Sequence, residues 1–149
     1  MPLTRDEILA LDGPALDAAV ATEVMGWKRG TPPHDGMWFD DANCGRWNSH
    51  WQPHKRWNHA GEVVEAMREK GWLVVVKFAP EHTPFLIGGS DSEYAPSDPT
   101  PFATGKAVCE LLWMGEPWRH DEFAVADACP LAICRAALLA MMAEREETA

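Results

Sequence analysis

The sequence predicts an α+β fold in which helices pack against an antiparallel sheet. Residues 72–78 are β-branched and aromatic and lie between Gly71 and Pro80, which is typical of a strand. Residues 131–142 form an apolar run that is too long for a strand and predicts a buried helix. The strand candidates are joined by loops, which favours antiparallel pairing. We therefore expect one domain over residues 1–149, in the order helix, short hairpin, helix, three strands, helix.

Two helical segments are predicted near the N-terminus. Thr4 and Glu7 have the spacing of a capping box, so the first helix begins there. Pro14 interrupts this helix and can open a second one at its first position. The second segment ends at Gly26, and its apolar positions recur at helical spacing: Leu16, Ala19, Val20 and Val24.

The middle of the chain predicts a short hairpin followed by a helix. Residues 37–39 and 47–51 are the two strand candidates, connected by residues 40–45. Asn58 is the expected N-cap of the helix, and Gly71 is its expected C′ residue. The solvated face of this helix is predicted to carry Glu62, Glu65, Arg68 and Glu69.

Two further strands complete the predicted sheet. They are residues 83–87 and 106–114, separated by a loop over residues 88–104. A second loop covers residues 115–123, after which Val125 extends the sheet briefly.

The last predicted helix begins near Asp127, with Pro130 in its first turn and a frayed acidic tail at residues 144–149. Its middle is apolar on nearly every side, with Arg135 as the only charge in the run. One sheet face cannot cover such a helix, so either another helix or a second subunit must do so. We therefore expect a homo-oligomer.

Charge and composition exclude several classes of protein. A net charge of −10 repels phosphate backbones, so we expect no non-specific nucleic-acid binding. No apolar stretch has the length of a membrane span, and residues 1–7 lack the apolar core of a signal peptide. We expect a cytoplasmic protein without a membrane partner, and reduced thiols at all four cysteines: Cys44, Cys109, Cys129 and Cys134.

An aromatic and basic cluster is the main candidate for a binding site. Indole rings can stack on a nucleobase, and arginine or lysine can hold phosphates. The alternative is that the rings fill the core and the cations are solvated. The wider cluster includes Lys28 and Arg29, and the predicted ligand-binding residues are Trp27, Arg46, Trp47, Trp51, Lys55, Arg56 and Trp57.

Four residues have side chains that suit zinc: Cys44, His50, His54 and His59. Their spacing lacks the paired half of a zinc finger, so polar loop residues are the alternative interpretation. We expect no bound metal and no cofactor.

Nucleophiles and acids give no convincing catalytic set. Cys109 or Cys129 could pair with His120, and Cys129 would be the more reactive thiol because a helix N-terminus lowers a thiol pKa. The alternative is that Cys109 is a core residue and Cys129 a partly buried helix cap. The acidic candidates are Asp40 with Asp41, and Glu116 with Asp121 and Glu122, but carboxylates are common in turns. We expect a protein that is not an enzyme.

Three blocks of sequence resemble the phage ABA-sandwich family and together span almost the whole chain. They are residues 4–9 with residues 16–27, residues 62–70 and residues 128–138, of which the last is the most specific. The resemblance implies a sandwich of helices and sheet and a phage or prophage origin, and it supplies no catalytic motif.

These observations together favour a binding function. We expect a phage or prophage protein that captures a small ligand in the cytoplasm of an infected or lysogenic host. The ligand would be a nucleotide-derived host defence signal, so the protein would act as an anti-defence sponge. The alternatives are a protein–protein interaction module, which inhibits a host enzyme or serves a virion component, and a small metal-dependent hydrolase.

Overall fold

The structure is a computed structural model that describes residues 3–78, 85–86, 101–102, 106–117 and 119–148, with backbone alone for 85–86, 101–102 and 147–148. It is an α+β fold. The helices are α1 (Arg5–Ala10), α2 (Gly13–Glu23), α3 (Trp57–Glu69) and α4 (Cys129–Thr148). The strands are β1 (Lys28–Arg29), β2 (Met37–Phe39), β3 (Gly45–Trp47), β4 (Trp72–Phe78), β5 (Phe85–Leu86), β6 (Pro101–Phe102), β7 (Ala107–Trp113) and β8 (Glu122–Ala126).

The first sheet has the order β1-β2-β3, and both strand pairs are antiparallel. The predicted strand 37–39 is confirmed. The predicted partner at residues 47–51 is wrong, because the strand lies at Gly45–Trp47 and Asn48–His50 form a 3-10 turn. The short strand β1 was not predicted, since two exposed cations carry no strand pattern.

The second sheet has the order β4-β7-β8 and is also antiparallel. The register of the strands shows which residues share a face of the sheet. Trp72, Cys109, Leu111 and Ala124 lie on one face and are buried in the main core. This face, which we call the core face, packs against α4.

Helix α4 lies at the centre of the molecule. It contacts β4, β7 and β8 on one side and α1, α2 and α3 on the other. Ala132, Ala136 and Ala140 are fully buried and, being small, allow close packing. The chain's own elements therefore cover most of the apolar surface of α4. The predicted frayed tail is wrong, because the helix continues to Thr148 and Arg145 pairs with Glu23.

Some of the strand predictions for the second half of the chain are confirmed, and others differ from the structure. Residues 72–78 are confirmed, and residues 106–114 are confirmed as Ala107–Trp113. The third strand of this sheet is β8, over Glu122–Ala126, where only a brief extension after a loop was expected. Of the predicted strand 83–87, residues 85–86 pair with residues 101–102 in a two-stranded ribbon, so part of the predicted loop 88–104 is a strand. The remaining residues of both segments lie outside the described ranges.

The helix ends follow from local hydrogen bonds. Glu7 N donates to Thr4 Oγ1 at 3.3 Å, and Thr4 N donates to Glu7 Oε2 at 2.7 Å, which confirms the capping box. Asn58 is not the N-cap of α3, because the helix already begins at Trp57 and Arg56 occupies the cap without a side-chain bond. Within the described ranges, no helix is long and apolar enough to cross a membrane.

Candidate functional site

Three of the predicted site residues form one compact stack. The rings of Trp27 and Trp51 lie 4.6 Å apart between centroids, and the guanidinium of Arg46 lies 5.1 Å from the first ring and 5.2 Å from the second. Trp51 is only 1% exposed, and its Nε1 donates to the backbone oxygen of Asp17 at 3.0 Å. Trp51 is therefore a core ring, fixed at both its face and its polar atom.

Arg46 is held by a carboxylate from α3. Its two terminal nitrogens donate to the two oxygens of Glu62, each at 2.8 Å, which raises the pKa of Arg46 above its ordinary value. Glu62 was predicted to be solvated, but here it closes a bidentate pair. The imidazole of His59 stacks on Trp51, with 5.6 Å between ring centroids, and its Nδ1 accepts from Gln52 N at 3.0 Å. These bonds tie the segment before α3 to the stack.

A buried carboxylate anchors the same segment from the other side. Asp17 lies on α2, and both of its oxygens are 2.8 Å from Nδ1 of His54. Facing a carboxylate, this nitrogen carries the proton and donates it. His54 N also donates to Asp17 Oδ1 at 3.2 Å. Burial raises the pKa of Asp17, and the bonds from His54 offset part of that effect.

A cavity of about 410 Å³ opens beside this anchor, between α2, the first sheet and the segment over residues 48–55. We call it the α2 cavity. Trp38 and Trp51 form its apolar floor, and both rings are almost fully buried. Its polar lining comes from the two cations and from the amide, hydroxyl and acid side chains around them: Arg29, Lys55, Asp17, His54, Asn48, Ser49 and Gln52. The Oδ1 atom of Asn48 is buried without a hydrogen-bond partner among the described residues.

The predicted ligand-binding residues are thus divided among three places. Trp51 and Lys55 line the α2 cavity, while Trp27 and Arg46 lie behind its floor in the stack. The other three do not line it: Trp47, Arg56 and Trp57 are exposed elsewhere. Arg46 is already bound to Glu62, and Trp51 is sealed, so neither offers an open face to a stacking ligand.

Most of the lining residues were not among the predicted binding residues, and three of them shape the site. Arg29 belonged to the wider cluster, and its guanidinium lies 5.4 Å from the centroid of Trp38. Trp38 is the buried middle residue of β2, so the pattern of that strand pointed to the core. Asp17 stands beside Leu16 and three residues before Val20 on the buried face of α2. A carboxylate at such a position needs a partner, and this signal could have identified it.

The predicted metal ligands do not come together. His54 is bound to Asp17 and His59 to Gln52, whereas Cys44 and His50 are exposed. Among the described residues, no three side chains of His, Cys, Asp or Glu are placed to hold a metal ion.

The nucleophile candidates are buried thiols. Burial raises the pKa of Cys109 to about 12 and also raises that of Cys129, so the expected activation of Cys129 at the helix start is wrong. The free cysteines include the exposed Cys44. His120, proposed as the base, is exposed.

The acidic candidates are placed in turns and ion pairs. Asp40 Oδ1 accepts from Cys44 N at 2.8 Å in the turn between β2 and β3, next to the exposed Asp41. Glu122 lies 3.4 Å from Arg5, and burial raises its pKa. Asp121 Oδ1 accepts from Trp113 N at 3.4 Å, while Glu116 is exposed.

Comparison with known proteins gives a family. No curated protein and no solved structure matches the chain. The family model of the phage ABA sandwich domain matches residues 18–110, which is more than half of the sequence. This range includes the first sheet, α3, β4 and most of the α2 cavity lining. The chain belongs to the phage ABA sandwich domain family.

Proposed function

We propose that this chain is a phage- or prophage-encoded binding protein that sequesters a small anionic ligand in the α2 cavity. The observation that carries the proposal is the pairing of an open cavity of about 410 Å³ with two cations, Arg29 and Lys55, in a chain of net charge −10. A site of this size is typical of small-molecule binding, and local cations on an acidic protein favour a compact anion over a polymer.

The geometry also indicates which part of the ligand enters. Because Trp38 is 4% exposed and Trp51 1%, their faces are closed to a nucleobase. Contacts in the cavity must therefore come mainly from charge and from hydrogen bonds along its walls. A phosphate, or a phosphate with its sugar, suits this lining better than a stacked base.

A nucleotide-derived host signal is the ligand class that we propose, and capture of that signal would make the protein an anti-defence sponge. Two facts support this: the family is a phage family, and the cavity has its cations on two separate walls. Sequestration needs affinity alone, so it requires no acid, base or nucleophile in the site.

Calorimetry against a panel of cyclic and ADP-ribose-type nucleotides tests the proposal, at low salt to preserve charge interactions. We expect one class to bind, and Lys55→Ala to weaken that binding about 10-fold or more because a charge-assisted bond is lost. Lys28→Ala is the matched control, since Lys28 precedes Arg29 on β1 but does not line the cavity. Absence of heat from every member of the panel would remove the proposal.

A protein-binding module is the second candidate, favoured by the exposure of Trp47. This ring lies on β3 and is 52% exposed. Its edge lies beside Gly36, where a Cβ atom added to the glycine would be 3.7 Å from the ring. Exposed tryptophan is frequent at the centre of interfaces. A host enzyme or a virion component would be the partner. Loss of a purified complex on Trp47→Ala, with nucleotide binding unchanged, would favour this function over capture.

A further inference from the structure

The core face of the second sheet loses its cover toward one end of β4. Trp72, Val76 and Phe78 lie on this same face, and their exposure rises along the strand from 2% to 37% and then to 55%. Apolar side chains on a core face normally stay buried along its length. Among the residues that the structure describes, the hydrophobic layer is therefore open at this end of β4.

An apolar groove of about 640 Å³ marks the open end. Val76 and Phe78 form one wall, and Cys129 with Pro130, at the start of α4, form the other. Trp57, the first residue of α3, stands at its rim and is 63% exposed. We call this surface the Trp57 groove.

The Trp57 groove carries both a projecting ring and a hollow lined by apolar groups. A two-fold axis can place the projecting ring of each copy in the hollow of the other, so a surface of this kind is suited to self-association. We propose that two copies of this chain associate through the Trp57 groove, each inserting its Trp57 ring against Val76, Phe78 and Pro130 of the other.

The charges at the rim agree with a second copy as the occupant. Arg56 immediately precedes Trp57 and is exposed, while Asp127, on the α4 side, also belongs to the groove lining. In the proposed two-fold arrangement, Arg56 of one copy would face Asp127 of the other. Asp127 already accepts a bond from Lys106, but a carboxylate has further lone pairs, and its side chain is 79% exposed.

The groove differs from the oligomer face expected from the sequence. Helix α4 was the predicted contact because it is apolar all round, and the chain's own helices and sheet now cover it. Within the described part of the chain, Trp57, Val76 and Phe78 are instead large apolar side chains that lie together and are exposed. An aromatic side chain that becomes buried on association, as Trp57 would in this dimer, often contributes most of the binding energy of an interface.

Sedimentation equilibrium on the full chain, over a range of concentrations, tests the association. We expect a species of twice the 16.6 kDa of one chain, in equilibrium with the monomer. Trp57→Ala should weaken dimerisation about 100-fold or more, in the range of an interface hot spot. Trp47→Ala is the matched control, because its ring is similarly exposed but does not line the groove, and it should change the dimerisation constant less than 2-fold. Circular dichroism confirms that each variant is folded.

A charge exchange tests the two-fold geometry separately. Arg56→Asp and Asp127→Arg should each weaken the dimer about 10-fold, and the double variant should recover most of that loss. A chain that is monomeric at every concentration overturns the proposal. A dimer that survives Trp57→Ala, or a double variant that is no better than its parents, overturns the groove as the interface. Because nucleotide binding concerns the α2 cavity, its presence or absence leaves this result unaffected.

Discussion

At the scale of single residues, Arg46 shows how contacts within the chain can occupy both the flat face and the terminal nitrogens of one guanidinium. Its planar guanidinium lies against two indoles while both terminal nitrogens bind Glu62. Only arginine can make both contacts at once, because its flat fork suits an aromatic face and a carboxylate together. The stack thus joins the first sheet to α3 and secures the floor of the α2 cavity.

Arg46→Lys should destabilise the protein by about 1–2 kcal/mol, because lysine keeps the charge but loses the fork and the flat contact with the rings. Urea unfolding, followed by tryptophan fluorescence, measures the change. Arg68→Lys is the matched control: its bond to Glu65, at 2.7 Å, is exposed and screened by solvent, so we expect a much smaller change than for Arg46→Lys. Equal effects of the two substitutions would contradict the structural role of Arg46.

His59 should make the stability of the protein depend on pH. Burial, and then the nearby charge of Arg46, lower the pKa of His59 below its ordinary value of 6.5. The unfolded chain therefore binds the proton more readily, and stability falls as the pH is lowered through 6.5 toward the folded-state pKa. Protonation also breaks the bond that Nδ1 accepts from Gln52.

Thermal midpoints of the wild type and of His59→Gln, measured between pH 7 and pH 5, test this dependence. Glutamine retains an acceptor but does not titrate, so the variant should lose less stability than the wild type over this range. His50→Gln, a substitution at an exposed histidine, should leave the wild-type slope unchanged. Parallel curves for His59→Gln and the wild type would show that His59 is not the responsible group.

At the scale of elements, the sequence predicts best those whose burial leaves a strong local pattern. Strand β4, strand β7 and helix α4 have long apolar segments bounded by breakers, and all three were found where expected. Strands β1 and β8 are short or half exposed, and tertiary pairing rather than their own residues creates them. The strand β3 was misplaced because the chain leaves the sheet after Trp47 in a 3-10 turn, Asn48–His50, which carries Trp51 into the core.

The candidate site was predictable only in its composition. Tryptophan and arginine in one segment indicate a cluster, but the same residues suit a ligand site and a structural stack equally well. For Arg46, the ion pair with Glu62 favours the structural stack, and Glu62 lies 16 residues further along the chain, on α3. Asp17, 37 residues before His54, likewise holds one side of the α2 cavity through its hydrogen bond to that histidine. Contacts at such separations follow from tertiary packing, so local patterns do not reveal them.

Two glycines of the α3 region should respond to alanine with opposite signs. Gly71 has a φ of +105°, and an added Cβ would lie 3.0 Å from the ring of Trp113. Gly71→Ala should therefore destabilise the protein by about 2 kcal/mol, from backbone strain and crowding. Gly61, inside α3, has nothing within 4 Å of its Cβ position, so Gly61→Ala should stabilise by about 0.5–1 kcal/mol. Urea midpoints give both signs, and destabilisation at Gly61 would contradict the open space on α3.

At the scale of the whole molecule, one core joins both ends of the chain. Helix α4 contacts α1 from the beginning of the sequence and β7 and β8 from its second half, so no described layer is complete without it. Cys109 on β7 and Cys134 on α4 are both fully buried in this core. A core of this kind predicts that the described elements unfold as a single cooperative unit.

The thiols provide a test of this unit. Cys44 is exposed in the folded chain, whereas Cys109 and Cys134 are inaccessible, and burial raises the pKa of both. Because the thiolate is the reactive form, a thiol reagent should label Cys44 promptly and the two buried residues only through unfolding. Their labelling rates should be equal to each other, and across urea concentrations they should follow the loss of native tryptophan fluorescence. Peptide mass spectrometry distinguishes the sites, and Cys44→Ser should remove the prompt phase alone. Labelling of Cys134 well before Cys109 would mean that α4 separates from the sheet before global unfolding, and the chain would then contain more than one unit.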